Sequence, residues 1–298
     1  MSPPLIFDRA LIRRRLARAA QASPAEFLIV HVADDLAERL NAILRKFPLA
    51  IELGGATAHG AHALSRSGKV ETVLRLAALA PSGRSGIPVA VADEEALPLG
   101  EASVDLVASL LSLQAVNDLP GALAQIKRAL RPDGLFIACL LGGESLTELR
   151  QSLAEAEAEL SAGMSPRVAP FADARELGAL LQRAGFALPV TDVEKLTVRY
   201  GDAFALMRDL RAMGMTNPLV ERARLPLRRA TLLRAAQIYA ERFADADGRL
   251  RASFDLVWLS GWAPHESQQR PLRPGSAKAR LADALGVSER KAGEKAKP

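Results

Sequence analysis

Apolar residues recur along this chain in two rhythms. Through residues 25–47 the period is helical, with Leu28, Val32, Leu36, Leu40 and Leu44 on one face. Residues 49–53, 70–76, 87–92, 104–110 and 135–141 are instead short apolar runs, the mark of buried strands. Pro88 lies near the entrance of the third run, where a missing N–H is tolerable. Helices are expected between the runs at 57–66 and 119–130, the second stopped by Arg131-Pro132-Asp133-Gly134. Strands alternating with helices predict an α/β fold with a mostly parallel, doubly wound sheet.

After Gly142 the rhythm changes. Residues 145–160 and 173–184 read as helices, the second capped by Gly185. Residues 188–193 and 195–200 read as strand, 202–213 and 228–243 as helix, and 253–262 as a last strand antiparallel to its neighbours. The helices of 201–249 are expected to form an inserted cap over the carboxyl ends of the strands. Residues 9–21 are rich in Arg and nearly free of acids, as mitochondrial transit peptides are. Leu5, Leu11, Ile12 and Leu16 can share one face there, so the segment reads as an amphipathic helix. The expected organisation is an N-terminal helical segment (1–46), a sheet domain (47–200 with 250–285), the cap (201–249) and a charged, disordered tail (286–298).

Composition removes several functions. Hydrophobic residues make up 49% of the 298, enough for a sizeable core. Aromatics are 4%, too few for a base-stacking platform, and the net charge of +5 is scattered beside Glu and Asp. Nucleic acid is therefore not an expected partner. Cys139 is the only cysteine, which suits a reducing compartment, and a cytoplasmic location is expected. No apolar stretch is long enough to span a bilayer. His59 and His62 could share a helix face, but four His and one Cys are too few for an expected metal site. There is no Gly-x-Ser-x-Gly elbow and no phosphate-binding Gly-x-x-x-x-Gly-Lys-Ser/Thr loop.

Candidate chemistry gathers at Glu52-Leu53-Gly54-Gly55, where a strand turns into a helix. Glycine permits positive φ and a close ligand, and the helix start offers free N–H groups. In a doubly wound sheet the crevice at the carboxyl ends of the strands is the binding place. Asp93 and Glu94 follow the third strand into the same region.

The spacing of Glu52 and Gly54 resembles the acidic-x-Gly-x-Gly-x-Gly signature of class I S-adenosylmethionine-dependent methyltransferases. The block from Ala92 to Val107, then Val116-Asn117-Asp118-Leu119-Pro120 and Arg131-Pro132-Asp133-Gly134, is similar to the middle of that fold. Phe7-Asp8-Arg9, Gly142-Gly143-Glu144-Ser145-Leu146-Thr147-Glu148-Leu149-Arg150, residues 165–171, residues 206–214 and Trp262-Ala263-Pro264-His265-Glu266-Ser267 narrow it further. Together they resemble the complex I assembly factor 5 family, related to the malonyl carrier-protein O-methyltransferase of biotin synthesis. The resemblance implies a class I methyltransferase fold and bound S-adenosylmethionine, with Glu52, Gly54, Gly55, Asp93 and Glu94 around the cofactor. It implies a protein substrate, a peripheral-arm subunit of complex I on which an arginine is hydroxylated. Glu144, Trp262, His265 and Glu266 are the candidate substrate or partner contacts. No catalytic base is identified.

The chain departs from the family where the cofactor would sit. Ala56 and Ala58 stand for glycines, and Gln114-Ala115 for His-Trp. The second strand ends Leu74-Arg75-Leu76, without the acid that receives the ribose hydroxyls. Weak or lost cofactor binding is expected, so it is open whether the chain is an enzyme. Alternatives to the assembly-factor reading are a small-molecule or carrier-protein O-methyltransferase and a non-catalytic binding protein with a degenerate site.

Overall fold

Seven strands form one sheet in the order β3-β2-β1-β4-β5-β7-β6. The structure is a computed structural model, and it describes residues 5–80, 86–160, 163–269, 283, 286 and 287. β1 (Phe47–Leu53), β2 (Val70–Ala77), β3 (Val89–Val91), β4 (Val104–Leu110) and β5 (Leu130–Gly142) run parallel. β7 (Leu250–Trp262) enters between β5 and β6 (Ala187–Tyr200), antiparallel to both. The apolar runs thus mark the parallel strands, and the late strand takes the antiparallel place expected of it. The segments expected at 188–193 and 195–200 are a single strand, because pairing with β7 continues through Glu194.

Helices cover both faces. Ala50 on β1 packs toward α2 (Phe27–Asn41), α3 (His59–Arg66), α5 (Thr147–Leu160) and α8 (Arg229–Phe243), while Ile51 and Leu53 face α4 (Leu119–Ala129) and α6 (Ala174–Arg183). This two-residue alternation gives the sheet an apolar core on each side. Local sequence sets the helix ends. Asp118 accepts from the Gly121 N–H at the start of α4, and Asp173 forms a reciprocal cap with Glu176 on α6.

α2 stops short of expectation, and Leu44, placed on its buried face by periodicity, is exposed. Pro48 disfavours a helical Phe47, so the chain must leave the helix before β1 can begin. Lys69 Nζ donates to the freed Ile43 carbonyl at 2.6 Å.

The segment read as a cap divides in two. α7 (Ala203–Ala212) and the loop after it reach the carboxyl ends of the strands, where Met207, Leu210 and Met213 share a cavity with Gly54. α8 packs on α5 and β7 instead; its Ile238 and Tyr239 are buried, and Tyr239 Oη donates to the Arg251 carbonyl at 2.7 Å. The chain forms one compact unit through Pro264 and a second from His265. Of the tail read as disordered (286–298), residues 288–298 lie outside the described residues. No helix among the described residues is long and apolar enough to cross a membrane.

Candidate functional site

Glu52 is the second-last residue of β1, and register sets it beside Arg75 on β2. Both side chains are buried, at 1% and 5% exposure, so each charge depends on the other. Arg75 Nε donates to Glu52 Oε2 at 2.9 Å. Its Nη2 donates to the Gly55 carbonyl at 3.0 Å and the Thr57 carbonyl at 2.5 Å. Burial pushes the Glu52 carboxyl above the usual range, against the pull of Arg75 and the Gly55 N–H.

The glycines are needed for a reason the sequence does not show. Gly54 has φ +79°, and a Cβ there would fall 2.0 Å from Ser112 Oγ. A Cβ on Gly55 would fall 1.6 Å from Glu52 Oε1. The space beside each glycine is therefore taken by a side chain of the protein.

Asp93 and Glu94 leave β3 and turn into the same crevice. Ser112 Oγ donates to Glu94 Oε1 at 2.6 Å, which joins Glu94 to the Gly54 turn. The N-terminal helix α1 (Arg9–Gln21) meets both acids. Arg9 Nη2 donates to Asp93 Oδ1 at 2.8 Å and also to Glu94, and Arg13 donates to Asp93. Arg9 Nη1 reaches the Ala115 carbonyl at 3.2 Å. Burial raises the Asp93 carboxyl, but the Glu95 N–H, Arg9 and Arg13 outweigh it and hold it below the ordinary range.

α1 is strapped at both sides. Asn117 Oδ1 accepts from the Ile6 and Phe7 N–H groups at 2.8 Å, and Asp8 caps α1 through Leu11. Opposite, Arg15 Nη1 donates to the Thr216 carbonyl at 2.7 Å, and Arg222 pairs with Asp8 at 3.1 Å. Beneath the strap lies a cavity of about 690 Å³, walled by apolar groups that include Leu16, Ile29, Leu146, Phe171 and Met207.

The structure thus brings Glu52, Gly54, Gly55, Asp93 and Glu94 together. It places Glu144 and Trp262 apart from them. Glu144 is exposed in the turn after β5, its backbone N–H donating to Asp255 Oδ2 at 3.0 Å. Trp262 ends β7 beside Leu135, its ring 6.4 Å from Phe47, at the amino-terminal edge of the parallel strands. His265 and Glu266 are exposed residues of the second unit, and His265 Nδ1 bonds Ser267 Oγ at 2.7 Å. Sequence reasoning missed Arg9, Arg13, Ser112 and Asn117, and it read Arg75 only as a missing acid. Phe7-Asp8-Arg9 and Val116-Asn117-Asp118 were visible as motifs, but nothing in the sequence showed that they meet.

Sheet order, glycine turn and crevice define a class I methyltransferase fold. A methyltransferase-domain family matches residues 53–138. The YcgJ protein of Bacillus subtilis shares the fold at TM-score 0.53 and 14% identity, over 79% of this chain and 99% of that one. The arginine-hydroxylase NDUFAF5 of Danio rerio is 40% identical over 95% of this chain and 91% of its own length. The human NDUFAF5 is 42% identical over 91% and 81%. A malonyl-[acyl-carrier protein] O-methyltransferase of Xylella fastidiosa (strain M23) is 33% identical over 87% and 89%. The chain belongs to the NDUFAF5 family, methyltransferase-like complex I assembly factors related to that O-methyltransferase.

S-adenosylmethionine is the cofactor this fold implies, and the residues present do not fit it. Its ribose hydroxyls need an acceptor, and Arg75 offers only donors. Glu52, the buried acid of the turn, already holds a guanidinium. Asp93 and Glu94 hold two more.

Proposed function

We propose that this chain serves the assembly of respiratory complex I by binding an arginine-bearing protein subunit and modifying or chaperoning it. The observation that carries this is the acidic pair Asp93 and Glu94, which already receives the Arg9 guanidinium at the crevice. A planar guanidinium between two carboxylates is a strong and directional contact. Supporting it, relatives 40% and 42% identical to this chain over 95% and 91% of it are arginine-hydroxylases by name. Modification and chaperoning share this recognition step. We place the protein in the cytoplasm, which suits its single, buried, unpaired cysteine.

A second reading is methyl transfer to a carrier-bound acyl group. The apolar cavity beside the crevice favours it, as does the Xylella relative. It requires the cofactor that Arg75 opposes.

The test is deletion of the gene and separation of membrane complexes on native gels. Assembled complex I should fall, the intact chain should restore it, and Asp93→Asn with Glu94→Gln should not. Full assembly in the deletion strain would remove the assembly role.

A further inference from the structure

We infer that Arg75 turns this chain away from S-adenosylmethionine: its bonds to Glu52 and to the glycine turn occupy the acceptors there and leave a guanidinium where the cofactor's ribose needs an acceptor. The inference does not rest on the partner proposed above.

Arg75 sits next but one to the end of β2, at the carboxyl edge of the sheet. A long charged side chain there could reach for water. Instead it lies flat against the turn and is 95% buried, with bonds to one carboxylate and two carbonyls. Each of these ties β2 to the segment 52–57. The turn is therefore tied by a protein group, and that group stands in the wall of the cavity that Gly54, Ala56 and Thr57 also line.

Three physical obstacles act together. The first is chemistry of the donor set: a ribose diol presents hydroxyls to an acceptor, and a guanidinium has none. The second is charge. S-adenosylmethionine carries a sulfonium and an ammonium, both cationic. The carboxylate that could offset them, Glu52, is neutralised by Arg75. The third is space. The Glu52 carboxylate fills the open side of Gly55, where a Cβ would lie 1.6 Å away, so the turn has no free face there.

Arg75 differs from Arg9 and Arg13 in being fixed. Those two belong to α1, a separate helix held over the crevice by side-chain tethers. Arg75 is anchored on a strand paired on both sides, with β1 and β3. Removing its side chain from the turn would strand Glu52, a buried acid with no other cationic partner in the described structure. The guanidinium is thus a fixed part of the cavity wall and costly to displace.

The experiment is calorimetric titration of the full chain with S-adenosylmethionine and, separately, S-adenosylhomocysteine. No saturable binding and no rise in Tm are expected with either. A micromolar dissociation constant for either overturns the inference. Arg75→Asp frees Glu52 and supplies the missing acceptor, and it should bind S-adenosylmethionine at least about tenfold more tightly than the parent. A folded Arg75→Asp that stays silent would show that Arg75 is not what bars the cofactor. If that variant does not fold, Arg75→Gln, which keeps a donor to the turn and adds one acceptor, is read in the same way. Hydrogen exchange of residues 52–58 in the unmodified chain, with and without S-adenosylmethionine, gives a check free of substitutions. No change is expected, and slowed exchange would refute the inference.

Discussion

Glu52 and Arg75 form the pair on which the site turns. Removing one partner of a buried ion pair typically costs 3–5 kcal/mol, about what exposed pairs never reach. Arg75→Ala should therefore lower stability by roughly 3–5 kcal/mol in urea unfolding, while Glu52→Gln combined with Arg75→Met, which strands no charge, should recover most of it. Gly54→Ala meets two penalties, the positive φ and the collision with Ser112. The first alone costs about 1–2 kcal/mol, and displacement of Ser112 from Glu94 should add to it. At this scale the sequence was legible in part. Glu52 and Gly54 stand out because an acid and a glycine at the end of an apolar run need a local reason. Arg75 could be seen as an absence but not as an occupant, because its partner is fixed by the pairing of two strands 23 residues apart in the chain. The glycines stand at the turn, and the atoms that require them are Ser112 Oγ, from after β4, and the Glu52 carboxylate.

Among the elements, α1 carries the conditional part of the structure. Its docking draws on Asp93, whose folded pKa lies below the ordinary carboxylate value of about 3.9. A lowered acid stabilises the docked state above the ordinary pKa and ceases to do so as pH falls through the folded one. The strap should hold at neutral pH and loosen in the acid range, below about pH 4. Pepsin cleavage within residues 9–21, followed against pH, should rise there, and Asp93→Asn should abolish that step while leaving the strap looser throughout. Periodicity located α1 as a helix with Leu11 and Ile12 turned inward, but Leu5, placed on the same face, precedes the helix and is exposed. It could not reveal that the polar face is equally committed, because Arg9, Arg13 and Arg15 look like solvent-facing charges until their partners arrive from residues 93–94 and 216–217. α2 shows the opposite error: the helical rhythm ran on to Leu44, but the helix ends at Asn41 and Leu44 is exposed.

For the molecule as a whole, the governing feature is the place of β7. The sheet is completed by a strand from the end of the unit, inserted between two strands made earlier. β7 is almost wholly buried, with Phe254, Leu256, Val257, Trp258 and Leu259 all in the core. A chain ending before Leu250 should leave β5 and β6 with open hydrogen-bonding edges and apolar faces, and it should collect in the insoluble fraction where the full chain does not. The overall architecture was legible because each element writes its own pattern, and alternation of strand and helix restricts how they connect. What β7 adds is a matter of timing. Ribosomes deliver roughly 5–20 residues each second, so β1 through β5 emerge several seconds before the strand that must lie beside them. During that interval the nascent protein carries a half-built sheet with one unguarded margin, and its yield in a cell depends on what shields that margin until translation catches up.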